Sequence, residues 1–344
     1  MSTALRGAIV GFGNVAECGH LPAWQARAAR GQMQIVAVAE PAAQRRQQAR
    51  KLLPAALVGA EVQQILRDPT LDFVDIAAPP ALHTDLIVAA ANAGLHILCE
   101  KPLAVSAADY RRQHAAVERA GVTLFTVHNW KYSEPFRRVR ALLDTGAIGP
   151  LATITFETTR DGCARTVGSN WRTHGAVAGG GILVDHGWHA FYLMLGLANE
   201  RPRAIRAQLA RRRYLTADVE DSALCTIEFP SLTGRLELTW AGRERRTRWQ
   251  LQGRDGRIEV TDDRVSLHRR GRQESFTCAQ SLSAGSHHPE WFAAVIDAFH
   301  REITDPAVRG ENLAEAEQCV QLLSLAYASH ADDARTQPLP ATAN

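Results

Sequence analysis

Residues 11–16 read Gly-Phe-Gly-Asn-Val-Ala and overlap the end of an apolar stretch, Ala4–Phe12, that predicts a short buried strand. A helical pattern then continues to about Arg30. In a G-x-G-x-x-A motif between a strand and a helix, the first glycine allows a tight turn and the second lets backbone amides approach a pyrophosphate. The alanine lets helix and strand pack closely, with the helix N-terminus facing the anion. The motif predicts a dinucleotide site that includes Gly11, Phe12, Gly13, Asn14 and Val15.

The acid that follows the second predicted strand indicates which dinucleotide binds. The strand Met33–Ala39 is followed directly by Glu40. A carboxylate here can accept hydrogen bonds from the adenosine ribose hydroxyls and would repel a 2′-phosphate. NAD is therefore the predicted cofactor. Arg45 and Arg46 lie close by in the sequence and leave NADP open as the less favoured alternative.

Strand and helix patterns keep alternating up to residue 128, which predicts a doubly wound parallel sheet with ligands at the carboxyl ends of its strands. Ala78-Pro79-Pro80, Glu100-Lys101-Pro102 and 128–131 (His-Asn-Trp-Lys) all follow predicted strands. The chain has three lysines, Lys51, Lys101 and Lys131, and arginine supplies every other basic side chain. A lysine kept in such a chain offers a compact ammonium that arginine cannot imitate. Lys101 is thus a candidate functional residue, although it could also be an ordinary surface lysine before a proline turn.

The pattern changes after residue 150. Alternating strand-like segments separated by polar or glycine-containing turns predict a large, mostly antiparallel open sheet, followed by two helices. We therefore predict an α/β protein with a dinucleotide-binding domain at 1–128, an α+β domain at 129–330 and a disordered tail at 331–344. One face of an open sheet needs covering, which predicts a homodimer or homotetramer formed through it.

The stretch Gly179–Leu195 reads GGGILVDHGWHAFYLML and predicts a half-buried helix behind three glycines. Asp185 and His189 are four residues apart, so they lie on one helical face and could both reach one bound hydroxyl. The glycines predict a flexible start to this helix. The alternative is a core helix with one satisfied histidine and one capping acid.

These motifs, in this order and spacing between about residue 5 and residue 330, resemble the Gfo/Idh/MocA family, which includes glucose–fructose oxidoreductase and inositol dehydrogenase. The resemblance rests on the glycine motif, on Ala78-Pro79-Pro80 with His83, on Glu100-Lys101-Pro102, and on Gly179-Gly180-Gly181 leading into Asp185-x-Gly187-x-His189. It implies a Rossmann domain, a C-terminal sheet domain, a tightly held NAD(P), and hydride transfer at a secondary alcohol of a sugar or cyclitol.

The resemblance also implies roles for single residues. Lys101 looks like the family's active-site lysine, and Asp185 and His189 match its substrate-binding acid and catalytic histidine; we assign these three as catalytic. Further cofactor contacts are assigned to Ala78, Pro79, His83, Glu100, Lys101 and Asn129. Further substrate contacts are assigned to Lys131, Tyr132, Trp171 and Arg172. The chain departs from the family where two arginines often follow the sixth strand, since it has Trp130-Lys131, and where an acid often follows the histidine, since it has Tyr192.

The predicted reaction is reversible alcohol–ketone oxidoreduction. His189 takes the hydroxyl proton, and Lys101 stabilises alkoxide character on the same oxygen. Two alternatives stay open: an NAD-dependent glycosidase that oxidises its substrate transiently, and a non-catalytic dinucleotide-binding regulator.

The composition also predicts the cellular compartment and excludes some classes of binding partner. Six scattered cysteines without a C-x-x-C pair predict a cytoplasmic protein with reduced thiols and no metal site. A formal net charge of +3 predicts no nucleic-acid surface, and no apolar run reaches the length of a membrane span, which predicts no membrane association.

Overall fold

The structure, a computed structural model, describes residues 4–164, 170–285 and 287–340. These residues form two compact units. The first contains residues 4–129, 170–171 and 287–317, and the second contains residues 130–164, 172–285 and 318–340.

The first unit is built on a six-stranded parallel sheet in the order β3-β2-β1-β4-β5-β6. Its central strand β4 is fully buried, as expected for a parallel sheet covered on both faces. The reversal of strand order beside β1 is the point where such sheets bind ligands. This confirms the predicted doubly wound sheet. The strands are β1 (Leu5–Val10), β2 (Met33–Ala39), β3 (Leu57–Gly59), β4 (Phe73–Ile76), β5 (His96–Cys99) and β6 (Leu124–Thr126).

Helices connect these strands, and their ends follow the local sequence. In the longest of them, the Ser106 hydroxyl accepts a hydrogen bond from the Asp109 amide at the N-terminus, and Gly121 ends the helix with a φ of 66°. The helix after the glycine motif differs from the prediction, because it opens with a π-helical turn, Ala16–His20. The α-helices are α1 (Leu21–Ala28), α2 (Ala43–Leu52), α3 (Val62–Leu66), α4 (His83–Asn92) and α5 (Ala107–Ala120).

The second unit contains a nine-stranded sheet in the order β14-β13-β12-β11-β7-β10-β9-β8-β15. All neighbouring pairs are antiparallel except β7 and β10, which run parallel. This confirms the predicted, mostly antiparallel open sheet. The strands are β7 (Leu151–Asp161), β8 (Ala204–Ala210), β9 (Ser222–Glu228), β10 (Thr233–Thr239), β11 (Ala241–Gly253), β12 (Gly256–Thr261), β13 (Arg264–Arg269), β14 (Arg272–Thr277) and β15 (Gln337–Pro338).

The strands of this sheet alternate between buried and exposed side chains. Phe156 and Trp249 pack together on the buried face, with ring centroids 5.2 Å apart, whereas Arg235 and Glu237 are exposed. The α-helices that lie entirely within the described part of this unit are α6 (Glu134–Asp144), α7 (Gly175–Ala178) and α8 (Trp188–Ala198). Helix α8 is buried almost all round, which explains its continuous apolar sequence.

The two C-terminal helices are α9 (Pro289–Thr304) and α10 (Glu311–Ala331), and residues 287–317 pack with the first unit. Glu302 accepts hydrogen bonds from the amides of Gly310 and Asn312, and the Asn312 side chain pairs with both backbone groups of Thr126 on β6. The compact units therefore differ from the limits predicted from sequence, which place these helices in the domain at 129–330.

The chain after α10 differs from the predicted disordered tail as far as residue 340. β15 pairs with β8, the Leu339 amide donates to the Arg203 carbonyl at 2.8 Å, and Ser329 donates to the Arg335 carbonyl. The local composition does not indicate these contacts with backbone groups elsewhere in the chain. Residues 341–344 lie outside the described part. Among the described residues, no helix has the length and apolar character to span a membrane.

Candidate functional site

The glycine motif forms a cradle at the carboxyl end of β1. Gly11 has a φ of 87°, and a Cβ there would lie 2.8 Å from the Ala77 carbonyl oxygen, so only glycine fits. A Cβ on Gly13 would meet no atom within 4 Å. The first N–H groups of the following helix have no intrahelical acceptor and present partial positive charge. This open space beside a helix N-terminus fits a pyrophosphate.

Glu40 closes one side of this cradle. Its carboxylate accepts hydrogen bonds from the Phe12 amide at 2.6 Å and from the Ala42 amide at 2.7 Å. Each oxygen keeps a further lone pair that can accept a ribose hydroxyl. The Arg45 guanidinium is held by the Glu17 carboxylate at 2.6 Å and by the Asn14 side chain. Arg46 donates to the Glu40 and Pro41 carbonyls. Both arginines are thus engaged within the protein.

Asn129 follows β6 at the same edge of the sheet and is buried. Among the described residues, no donor reaches its side-chain oxygen Oδ1. A buried carbonyl oxygen without a donor is costly, so this atom fits a ligand that brings an N–H group, as the carboxamide of a nicotinamide does. Together with the cradle, it supports the fit of NAD to the first unit.

The turn that carries Lys101 follows β5 and is held by buried side chains. Glu100 accepts a hydrogen bond from the Lys101 amide at 3.0 Å. The ring nitrogens of His83 lie 2.8 Å from the Pro102 carbonyl and 2.9 Å from the Ala78 carbonyl. Burial lowers the pKa of His83, and the carbonyl contacts oppose that shift. His83 therefore ties the turn after β4 to the turn after β5.

His20, Asp75 and Glu100 form a buried ionic cluster next to the turn after β5. The sequence analysis did not predict this cluster. His20 in the π-helical turn lies 2.8 Å from Asp75 and 3.0 Å from Glu100, through opposite ring nitrogens. Both nitrogens face carboxylates, so both carry protons. Burial disfavours this charge, but the two carboxylates outweigh it and raise the pKa of His20 to about 10. The available signal was Asp75, an acid within the apolar strand β4, whose side chain also accepts from the Trp24 indole.

In the second unit, the three glycines precede a helix that also opens with a π-helical turn, Leu183–Gly187. A Cβ on Gly181 would lie 1.7 Å from the Glu220 carbonyl oxygen. The Glu220 carboxylate accepts hydrogen bonds from the Gly181 and Leu183 amides, both at 3.0 Å, and from the Tyr327 hydroxyl. Burial raises the pKa of Glu220, and these hydrogen bonds oppose the shift. The glycines therefore serve close packing, which corrects the prediction of a flexible start.

Asp185 lies within this π-helical turn and among basic side chains. Its carboxylate is 3.9 Å from Arg172 Nε and 3.3 Å from His186 Nδ1. Burial and Arg245 lower the pKa of the Arg160 guanidinium to about 10, and Asp185 is one of the acids that oppose this shift. Asp185 is thus placed to hold a hydroxyl group as an acceptor.

His189 lies one turn further along, in α8, and its ring is held by aromatic neighbours. His189 Nδ1 is 2.7 Å from the Tyr192 hydroxyl oxygen, which also accepts the Trp130 amide at 3.1 Å. The Trp130 ring stacks on the imidazole, with centroids 5.0 Å apart and an interplanar angle of 24°. Sequence comparison flagged Tyr192 and Trp130 as departures but gave them no role.

The structure groups the predicted site residues as follows. The first unit holds Trp171 and all of the predicted cofactor residues: Gly11, Phe12, Gly13, Asn14, Val15, Glu40, Ala78, Pro79, His83, Glu100, Lys101 and Asn129. The second unit holds the other predicted substrate residues: Lys131, Tyr132, Arg172, Asp185 and His189. Their assignment to a cofactor, a substrate or a catalytic role is still a prediction.

Comparisons with known proteins identify curated relatives that match part of the chain. The chain is 30% identical to 1,5-anhydro-D-fructose reductase of Ensifer adhaerens over 171 residues, which is 49% of this chain and 50% of that protein. It is 26% identical to scyllo-inositol 2-dehydrogenase (NADP(+)) of Bacillus subtilis strain 168 over 211 residues, which is 61% of this chain and 58% of that protein. The chain thus spans about half the length of these curated relatives.

A solved structure shares the fold. An oxidoreductase from Agrobacterium radiobacter, in complex with NAD+, L-tartaric acid and magnesium, superposes with a TM-score of 0.84 at 20% identity, covering 98% of both chains. Two family models match the sequence: residues 5–128 match the oxidoreductase family with an NAD-binding Rossmann fold, and residues 136–259 match the GFO/IDH/MocA C-terminal domain. The chain therefore belongs to the Gfo/Idh/MocA family of oxidoreductases, and its first unit carries that family's NAD-binding Rossmann fold.

Proposed function

We propose that this protein is an NAD-dependent dehydrogenase that interconverts a secondary alcohol and a ketone on a sugar, a cyclitol or a related polyol. The observation that carries the proposal is the open cradle at Gly13 beside Glu40, in a chain of this oxidoreductase family. The named activities of the two curated relatives, a sugar reductase and a cyclitol dehydrogenase, support the substrate class. NAD is preferred over NADP, because Glu40 holds a negative charge where a 2′-phosphate would lie.

The residues of the first unit bind and orient the cofactor. The turn Gly11–Val15 holds the pyrophosphate, Glu40 the adenosine ribose, and Asn129 the carboxamide. Ala78, Pro79, His83, Glu100 and Lys101 line the rest of the site. When bound, the nicotinamide carries the hydride, a step that no side chain can perform.

Lys101 binds the oxygen of the reacting carbon. Its ammonium stabilises negative charge that develops there, and it does so best when it is fixed in place before the reaction. The Glu100 carboxylate on the Lys101 amide, and His83 on the Pro102 carbonyl, supply that fixation.

His189 exchanges the hydroxyl proton, and Asp185 accepts a hydrogen bond from a neighbouring hydroxyl. The remaining substrate contacts are assigned to Lys131, Tyr132, Trp171 and Arg172. Arg172 Nε and His186 Nδ1 flank the Asp185 carboxylate, at 3.9 Å and 3.3 Å.

The experiment that tests the proposal follows the nicotinamide absorbance while a panel of polyols, sugars and cyclitols is offered with NAD and with NADP. We expect NADH to accumulate with at least one substrate, and Lys101→Met and His189→Ala to lose several orders of magnitude in kcat while still binding NADH. Lys51→Met and His114→Ala, which change a surface lysine and a half-exposed histidine, are the matched controls and should keep full activity.

Two results would reject the dehydrogenase. Cleavage of a glycosidic bond without net NADH would favour the glycosidase, and no turnover together with a stable protein partner would favour the regulator. Near-normal turnover in either variant would remove its assigned role.

We further propose that the protein works in the cytoplasm as a homodimer or homotetramer. The structure places none of the six cysteines in a disulfide, and the polar face of the nine-stranded sheet, with Arg235 and Glu237, offers a surface for a second copy. Light scattering on the purified protein tests the assembly, and a monomer would reject it.

A further inference from the structure

His20 is a buried charged side chain that the proposed reaction has not yet used. Its Nδ1 lies 2.8 Å from Asp75 Oδ2, and its Nε2 lies 3.0 Å from Glu100 Oε1. All three residues are buried: His20 and Asp75 are 0% exposed, and Glu100 is 8% exposed. Apolar side chains of similar volume are often as stabilising as a buried ionic cluster, because charges lose their hydration on burial. Stability alone therefore does not account for these three residues.

The His20 ring is fixed in one orientation by its neighbours. The Trp24 indole donates to Asp75 Oδ2 at 2.7 Å, which holds the carboxylate on the Nδ1 side in place. Phe292 of α9 packs against the imidazole, with ring centroids 4.2 Å apart and an interplanar angle of 42°. Because Asp75 and Phe292 fix the ring, His20 presents Nε2 to Glu100 in one direction.

Glu100 uses one carboxylate oxygen for each of two contacts. Oε1 faces His20 Nε2, and Oε2 accepts a hydrogen bond from the Lys101 amide at 3.0 Å. Burial raises the pKa of Glu100, but the hydrogen bond from His20 and the positive charges of His20 and Lys101 outweigh burial and lower the pKa. Glu100 is therefore a carboxylate, and a carboxylate can only accept hydrogen bonds. The proton of the contact between the two side chains thus lies on His20 Nε2.

We propose that His20 is a positioning residue for Lys101: its Nε2–H holds the Glu100 carboxylate, and that carboxylate holds the Lys101 amide. The inference rests on the proposed function, in which the Lys101 ammonium stabilises negative charge on the reacting oxygen. Glu100 lies 80 residues after His20, which belongs to the π-helical turn that follows the glycine motif. The contact therefore links the helix of the proposed pyrophosphate site to the turn that carries Lys101.

Loss of the His20 contact should loosen the turn after β5. A buried carboxylate that loses a charged donor is strongly destabilised in its place. Glu100 regains stability by turning toward water or by taking up a proton, and either change weakens its bond to the Lys101 amide. The Lys101 ammonium would then be held less precisely. Misplacement of a catalytic group by about 1 Å can lower the rate by about 100-fold.

Two amide variants of His20 separate its two contacts. In His20→Gln, the side-chain nitrogen lies where Nε2 was and can donate to Glu100. In His20→Asn, the nitrogen is one bond closer to the backbone, where Nδ1 was, and can donate to Asp75 instead. Both variants remove the imidazolium charge, so both should lose a similar free energy of unfolding. A merely structural role of His20 predicts the same effect of both on the site, whereas the proposed role predicts that His20→Gln rescues it.

The test observes Lys101 selectively, because the chain has three lysines. Protein labelled with ¹⁵N-lysine gives three amide signals in NMR spectra, and the Lys101 signal is identified by its loss in Lys101→Arg. We expect the Lys101 amide to exchange its hydrogen about 10-fold faster in His20→Asn than in His20→Gln, beyond any difference in their free energies of unfolding. The Lys51 and Lys131 amides are internal controls and should exchange alike in the two variants.

Kinetics on the best substrate of the polyol panel give a second readout. His20→Asn should have a kcat about 10- to 100-fold below that of His20→Gln. The two variants should share the same Kd for NADH, because neither changes the glycine turn.

If the His20 variants fail to fold, Asp75→Asn tests the same link. The new amide nitrogen can donate to His20 Nδ1, and the amide oxygen can accept from the Trp24 indole, so the His20 Nε2–H remains on Glu100. Although the variant removes a charge from the cluster, kcat and the exchange of the Lys101 amide should stay within about 2-fold of the wild type.

The outcomes distinguish this inference from the proposed function. Equal exchange of the Lys101 amide in His20→Asn and His20→Gln would overturn the inference, and so would equal kcat values. A 10-fold or larger loss of kcat in Asp75→Asn would also overturn it, by about the margin that one misplaced group produces. Because amide exchange is measured without turnover, failure to oxidise any polyol would reject the dehydrogenase and still leave the link from His20 to Lys101 tested.

Discussion

Two helices of this protein begin after glycines and open with a π-helical turn, yet the surroundings of their N-termini differ. At Ala16–His20, a Cβ placed on the preceding Gly13 would meet no atom of the described residues within 4 Å. At Leu183–Gly187, the Glu220 carboxylate accepts the Gly181 and Leu183 amides, so the chain supplies its own anion. The first helix N-terminus is free to bind a phosphate, and the second is capped.

The candidate site residues of the two units therefore lie at different positions relative to these helix N-termini. In the first unit, the helix N-terminus is the site that we propose for the pyrophosphate of the cofactor, and the π-helical turn also carries the buried His20, which pairs with Asp75 and Glu100. In the second, the N-terminus is closed, and the candidate groups Asp185 and His189 lie further along the helix. A glycine before a helix therefore indicates a ligand site only where the space around it is empty.

The largest expected effect comes from Gly181→Ala. The new Cβ would overlap the Glu220 carbonyl, a backbone atom that also accepts the Ile182 amide at 3.0 Å. Because the backbone cannot move aside without breaking the cap, we expect the free energy of unfolding to fall by about 3 kcal/mol or more. Soluble yield and urea unfolding measure this. A stable Gly181→Ala variant would show that this turn is flexible after all.

A slightly smaller loss is expected from His20→Gln, together with a change in pH dependence. Removing the imidazolium leaves Asp75 and Glu100 as buried charges without their partner, which costs about 3 kcal/mol. The pKa of His20 is raised in the folded protein to about 10 from an ordinary value of 6.5. Its contribution is therefore fully present below pH 6.5 and is lost as the pH rises toward 10.

Urea unfolding between pH 6.5 and pH 10 checks the pH dependence of His20. The wild type should lose stability over this range more steeply than His20→Gln. Parallel curves would show that His20 is neutral in the folded protein, contrary to its two carboxylate contacts.

Features encoded by neighbouring residues could be predicted from the sequence. The bounds of β2 coincide with the predicted strand Met33–Ala39, because an apolar run defines this strand locally. The motif order also predicted the two sheets and the family.

Features that depend on distant partners could not be predicted. Glu220 caps a helix 39 residues earlier in the chain, and His20 pairs with Asp75 and Glu100 across 55 and 80 residues. No local pattern records such pairings. Tyr192 combines both kinds of feature. Its spacing of three residues from His189 can be read from the sequence, but the hydrogen bond between its hydroxyl oxygen and the Trp130 amide cannot.

Gly13→Ala makes the same substitution as Gly181→Ala in the open helix N-terminus and should have a different consequence. A Cβ at Gly13 meets no protein atom, so the free energy of unfolding should change by less than about 1 kcal/mol. The methyl group instead enters the space assigned to the pyrophosphate. We expect the Kd for NADH to rise by about 10-fold, or 1.4 kcal/mol. Isothermal titration calorimetry measures it, and unchanged binding would mean that the pyrophosphate lies elsewhere.

The smallest expected effect tests the cofactor preference at Glu40. In Glu40→Gln the amide oxygen can still accept the hydrogen bond of Phe12 or Ala42, but the amide group carries no negative charge. NADH affinity should fall by about 3-fold, because one charge-assisted hydrogen bond becomes a neutral one. NADPH affinity should rise, since nothing then repels its 2′-phosphate.

The ratio of the two Kd values is the decisive measurement, because a general weakening of the site would lower both affinities together. Glu17→Gln is the control: it also removes a carboxylate near the glycine turn, one that binds Arg45 and lies outside the predicted ribose contacts. If Glu17→Gln shifts the ratio as much as Glu40→Gln does, the preference depends on the net charge around the helix N-terminus. If only Glu40→Gln shifts the ratio, the cofactor preference depends on one carboxylate, which the Phe12 amide fixes in place. The open helix N-terminus would then select NAD through an acid that the glycine turn itself holds.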